Sequence, residues 1–164
     1  MSDSISKTIA DSEQLLQITA REGNSVTEAL STILGSHLGW PYRVRAGGAK
    51  DVDGLATGEF STLIYTATET EVPPEPVSVS AESLAAVVEV IPSLDSAALT
   101  AAYAKIAIAK SLRKTTAPPS PYLNTTLGIV FALDSPLPLE ELGRCLDELN
   151  RVHPSHLWAC TQSA

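Results

Sequence analysis

A carboxylate set inside an apolar run is the feature that most constrains this chain. Ser83-Leu-Ala-Ala-Val-Val-Glu89-Val90 is short and rich in β-branched side chains, and Ile91-Pro92 closes it. A run of that length and branching reads as a central strand rather than a helix. An ionised carboxylate in such a strand is costly unless it is paired or liganded. Glu89 therefore marks either an open strand end that faces water or a site.

The segments around this strand alternate in period. Residues 5 to 38 read as helix with an interruption at Gly23. Leu15, Leu16, Ile18 and Ala20 mark its first half, and Val26, Leu30, Ile33, Leu34 and Leu38 form a stripe in its second. Ser25 and Glu28 fit a capping box, and Gly39-Trp40-Pro41 ends the helix. Tyr42, Val44 and Ala46 alternate with Arg43 and Arg45 as in a strand, Asp53-Gly54 signals a hairpin, and Phe60-Ser-Thr-Leu-Ile-Tyr65 reads as its partner. Val77-Ser-Val79 is a short edge strand or turn. Ser93 to Lys114 reads as a helix, with Asp95 and Ser96 at its start and Lys110, Arg113 and Lys114 at its end, a placement that suits the helix dipole. Leu127 to Leu133 is a second central-strand candidate, and Pro138 to Asn150 an amphipathic helix carrying Leu139, Leu142, Leu146 and Leu149 on one face. This order predicts an α/β architecture, a small mixed sheet flanked by helices. The expectation is a single domain over residues 1–158 with an irregular tail at 159–164.

Composition narrows the function classes. The 164 residues hold 11 Lys and Arg against 19 Asp and Glu, a net charge of -8. Charged residues are only 18% of the chain, below the roughly 25% of average soluble proteins, which points to an extensive core, a packed partner surface, or both. Such an acidic protein lacks the basic footprint of a non-specific polyanion binder. Local basic sets stay open as nucleic-acid contacts: Arg43, Arg45 and Lys50, and the helix-end cluster Lys110, Arg113 and Lys114. No apolar stretch is long enough to span a membrane, and no secretory pattern opens the chain. The expectation is a cytoplasmic protein with Cys145 and Cys160 reduced. His153, His156 and Cys160, with Cys145 upstream, are loosely spaced zinc-ligand types, but no CxxC or HExxH organises them; surface histidines and small thiols are the simpler reading. Neither a GxSxG elbow nor a phosphate-binding GK[ST] loop occurs.

Three stretches carry a family resemblance. They are Gly23-x-x-x-x-Glu28-Ala-Leu-x-x-x-Leu34, the segment from Gly47 through Gly58 to Ser61-Thr-Leu-Ile-Tyr65, and Ala81-Glu-Ser-Leu-Ala-Ala-Val-Val-Glu89-Val-Ile91-Pro-Ser-Leu. In this order they resemble the restriction-endonuclease-like fold of the PD-(D/E)xK nucleases, and most of all an uncharacterised bacterial family of nuclease-like domains. Leu149-Asn-Arg-x-His153-Pro-Ser-His156-Leu-Trp158 also resembles a motif near the end of that family's domain. The resemblance implies a helix glutamate at Glu28, a metal-binding aspartate position at Ser61, a second carboxylate at Glu89 and a lysine position at Ile91. In active members two carboxylates hold Mg²⁺ and the lysine helps to activate water. Here two of those positions have lost their chemistry, because a hydroxyl is a poor Mg²⁺ ligand and Ile91 can neither donate a proton nor orient water. Lys105 or Lys110 on the following helix could replace the lysine, and Asp51 or Asp53 the acid.

The expected function is therefore a non-catalytic nuclease-like domain acting as a protein-interaction, regulatory or structural module. It would work with a protein partner or as a homo-oligomer through the Ala-rich helix, with no cofactor and no metal. Two alternatives stand beside it. One is a metal-dependent nuclease with relocated residues, which would use Mg²⁺ at Glu28 and Glu89. The other is a nucleic-acid or nucleotide binding module.

Overall fold

The computed structural model of the chain describes residues 26–67, 76–115 and 125–152. The helix expected before residue 26, the connectors at 68–75 and 116–124, and His153, His156, Cys160 and the tail lie outside those residues. In chain order, helix α1 is Val26–His37, followed by strands β1 (Tyr42–Lys50), β2 (Phe60–Thr66), β3 (Val77–Ser80) and β4 (Leu84–Ser93). Helix α2 (Ser96–Ser111), strand β5 (Leu127–Asp134) and helix α3 (Leu139–Val152) complete it.

The strands form one sheet in the order β3-β1-β2-β4-β5. Its centre is antiparallel, β1 with β2 and β2 with β4, and both outer pairs are parallel. The mixed sheet expected from the order of elements is therefore present. Pleat parity divides its side chains between two cores. On one face, Leu30 of α1 packs with Ile64, Ala86 and Val88. On the other, Ile106 and Ala109 of α2 pack with Phe60, Leu63, Tyr65 and Val87.

Helix α2 buries Leu99, Ala102, Tyr103, Ile106 and Ala109, a stripe at helical spacing whose alanines allow close approach to the sheet. Ala102 and Ala109 are thus spent on the chain's own packing, while Ala97, Ala101 and Ala104 of the same helix face outward. Helix α3 lies against α2, burying Leu142, Leu146 and Asn150, and the Tyr103 hydroxyl donates to Asn150 Oδ1 at 3.3 Å. Cys145 is a half-buried free thiol on α3. No described helix is long and apolar enough to cross a membrane.

Three boundaries differ from the sequence expectation. Strand β4 runs through Pro92 to Ser93, which pairs with Asp134. The Val90 N–H points toward β2, so the missing N–H of Pro92 faces the same way, beyond the start of β2, and no ladder bond is lost. Helix α2 starts at Ser96, because Asp95 is its N-cap and Asp95 Oδ1 accepts from Ala98 N at 2.7 Å. Strand β5 is an outer strand among the described residues rather than a central one, and it leaves Leu127, Ile129 and Leu133 exposed. An apolar run reports burial on average. It does not report how many neighbours a strand has.

Candidate functional site

Glu89 shares the pleat parity of Val87, so its side chain leaves the sheet toward α2. There Lys105 Nζ donates to both carboxylate oxygens, at 2.8 Å to Oε1 and 2.7 Å to Oε2. The two side chains are 21% and 30% exposed. The ammonium also lies 4.7 Å from the centre of the Phe60 ring, a cation–π contact at the same place. Glu89 is thus a paired carboxylate on a covered face, not a solvated strand end. Of the two lysines that could reach back from α2, Lys105 is the one that meets Glu89.

Ser61 sits level with Glu89, since Thr62 pairs with Val88 across β2 and β4. Its side chain goes elsewhere. The β1–β2 register shifts between Arg45, which pairs with Leu63, and Gly47, which pairs with Phe60. Ser61 and Thr62 therefore both oppose Ala46, the two-against-one count of a β-bulge. Thr62 turns to α1, where its hydroxyl lies 2.9 Å from Ser31 Oγ. Ser61 lines a groove of about 340 Å³ under α1, together with Thr27, Glu28, Ser31, Thr32 and Arg45. A long bond, 3.4 Å, runs from Val90 N to Ser61 Oγ.

The four positions named by the resemblance thus divide. Glu28 and Ser61 meet at the groove on the α1 face. Glu89 engages Lys105 on the opposite face. Ile91 is half-buried beside Ala132 of β5. The sequence did not single out the groove hydroxyls of Thr27, Ser31 and Thr32. Their only signal was the four-residue spacing of Thr27 and Ser31 on one helix face.

This donor set does not fit Mg²⁺. The ion demands near-octahedral oxygen coordination, usually through one or two carboxylates. Glu89 spends both oxygens on Lys105, and the residue level with it across the ladder is a serine rather than a second carboxylate. Among the described residues no group of three or more His, Cys, Asp or Glu gathers in one place.

The basic candidates also separate. Arg43 stacks on Trp40, with its guanidinium carbon 5.2 Å from the ring centre, while Arg45 lines the groove. Lys50 lies at the far end of β1 in a notch of about 200 Å³ with Asp51, Glu82, Arg113 and Thr115. Acids fasten the end of α2 there. Arg113 forms an ion pair with Asp53 at 2.9 Å and donates its backbone N–H to Asp51 Oδ2 at 3.1 Å. Glu82 Oε1 accepts from Thr115 N at 2.5 Å and from its hydroxyl at 2.6 Å. Asp51 and Asp53 are therefore structural groups of a turn, distant in register from Glu89. The Arg113 N–H, with those of Leu55 and Asp53, holds the Asp51 carboxyl below its ordinary range against an opposing effect of burial. Burial pushes Lys110 down, and it pushes Lys114 down against the opposing charge of Glu82. Lys114 Nζ donates to Leu84 O at 2.6 Å. Arg113 and Lys114 of the helix-end cluster thus fasten the end of α2 to the β1–β2 turn and to β4.

No family model matches the sequence, and no curated protein matches it. Solved structures do match. NucC of P. aeruginosa ATCC27853 in its cAAA-bound form superposes with a TM-score of 0.71 at 18% identity, covering 90% of this chain and 70% of that one. NucC of E. coli MS115-1 in its cAAA-bound form gives 0.70 at 18% identity, covering 90% and 69%. Its apo form gives 0.66 at 18%, covering 87% and 68%. The chain therefore has the PD-(D/E)xK-like restriction-endonuclease fold, an α/β core with a small mixed sheet flanked by helices.

Proposed function

We propose that this restriction-endonuclease-like fold acts by binding rather than by hydrolysis, as a protein-interaction, regulatory or structural module. The observation that carries the reading is the Glu89–Lys105 pair. The carboxylate that would hold a metal ion is neutralised by an amine at 2.7 Å and 2.8 Å, and Ser61, level with it on the neighbouring strand, turns its hydroxyl to the opposite face. A single, already paired carboxylate gives little hold on a divalent cation. The exposed apolar side chains of β5, Leu127, Ile129 and Leu133, support a partner or a second copy as the binding target. A cytoplasmic setting belongs to the same reading and rests on the sequence.

The test is cleavage of single- and double-stranded DNA and RNA with Mg²⁺ and with Mn²⁺, alongside calorimetric titration of each ion. The expected result is no cleavage and no saturable ion binding. Metal-dependent cleavage that Glu89→Gln abolishes would overturn the proposal.

The same pair favours a second reading, as does the likeness to NucC over 90% of this chain. Lys105 brings an amine to Glu89 from the next helix, where the resemblance puts a lysine two residues along the strand. In that reading Lys105 is a relocated lysine and the chain is a metal-dependent nuclease. Lys105→Ala separates the two: it abolishes cleavage in the second reading and touches only stability in the first.

A further inference from the structure

Trp40 is exposed to 64% at the turn between α1 and β1, away from both cores. The indole is not loose on the surface. The half-buried Arg43 lies over it at 5.2 Å and is itself tied by Nη1 donating to Tyr42 O at 3.1 Å. Cation and ring therefore form a stack held by β1, whose Tyr42 packs beside the α1 core. The local sequence is free of acid as well. From Ala29 to Lys50 the chain carries Arg43, Arg45 and Lys50 and no Asp or Glu, within a protein of net charge -8.

A protein-binding hot spot would surround such an aromatic with further apolar area that excludes water. Next to Trp40 in the chain, the exposed described residues are instead Ser36, His37 and Gly39. A cation-backed aromatic plane, flanked in the chain by small and polar residues, suits a flat, π-faced ligand that carries negative charge beside its ring. Unpaired nucleobases have that form, because every base offers a stacking face and its phosphate lies within reach of a guanidinium.

We propose that Trp40 and Arg43 form a stacking site for an unpaired base of a single-stranded nucleic acid. Trp40 supplies the platform and Arg43 both orients it and meets the adjacent phosphate. The net acidity keeps the affinity modest and confines it to this end of the sheet. This site is separate from Glu89 and Lys105 and does not depend on whether that pair hydrolyses anything.

The chain has two tryptophans, so the test uses the full chain with Trp158→Phe as background. Short oligo(dT) and oligo(rA) are titrated, reading Trp40 fluorescence and the anisotropy of labelled strands. Saturable quenching of Trp40 is expected. Trp40→Ala should weaken binding roughly tenfold and Trp40→Phe much less, a stacking effect of ordinary size. Arg43→Ala should weaken binding and lower the salt slope by about one. Arg43→Gln at unchanged thermal stability should reproduce that loss. No quenching at any strand concentration up to the millimolar range would overturn the proposal. So would binding that Trp40→Ala leaves unchanged, and so would quenching by a peptide or protein partner but by no oligonucleotide.

Discussion

Gly47 is fixed by what lies beside it. Its φ of 152° is one that side-chain-bearing residues rarely adopt, and a Cβ there would overlap the carbonyl oxygen of Val77 on the parallel strand β3. Gly47→Ala should lower the unfolding free energy by about 3 kcal/mol or more, because the clash is with backbone and not with a movable side chain. Urea titration reads the loss, and an unchanged midpoint would show that β3 does not sit on β1. The Glu89–Lys105 pair makes a different demand. Its side chains are mostly covered, so removing one charge strands the other. Lys105→Ala should cost about 1–2 kcal/mol, held below the fully buried case by the remaining solvent contact. Adding Glu89→Gln should return part of it. A double-mutant cycle with zero coupling would deny the pair any energetic role.

At the scale of elements, Asp95 decides where α2 begins. Asp95→Ala should remove about 1 kcal/mol through loss of the bond to Ala98 N, with Asp95→Asn nearly neutral, as thermal melts would record. This boundary was half legible, since Asp95-Ser96 before an alanine-rich run is a start signal. The sequence expectation sets the start a few residues early because Ile91-Pro92 reads as the end of β4. The strand itself was legible from its branching. The rank of β5 was not, since its apolar run looks like that of β4 while one edge has no described neighbour. The bulge at Ser61 and Thr62 had no sequence signal at all. It follows from a register mismatch between two strands, and that single extra residue moves Ser61 from the Glu89 side to the groove under Thr27 and Ser31. The fold could thus be read from the order of elements, but the site could not, because side-chain direction depends on register.

For the whole molecule, acid is the informative perturbation. The Asp51 carboxyl is held below its ordinary value by the N–H groups of Arg113, Leu55 and Asp53. A depressed folded value means that its contribution is complete above the ordinary value of 3.8 and is lost as pH falls through the folded one. Between pH 6 and pH 3 the melting temperature should therefore fall further for the native chain than for Asp51→Asn. Equal slopes would show that the clasp between the β1–β2 turn and the end of α2 does not form in solution. Net charge worked at this scale too. The value of -8 excluded a molecule-wide polyanion surface, yet it concealed the acid-free stretch from Ala29 to Lys50. The placing of antiparallel pairs at the centre and parallel pairs outside has a kinetic consequence. β1 and β2 close over one turn and β4 joins them on their antiparallel side, whereas β5 reaches β4 only after α2 and a connector have crossed over. Loop closure makes late, non-local parallel pairing slow. The central antiparallel strands should therefore nucleate folding and β5 should dock last. Leu63→Ala in β2 should slow refolding, while Val130→Ala in β5 should chiefly speed unfolding.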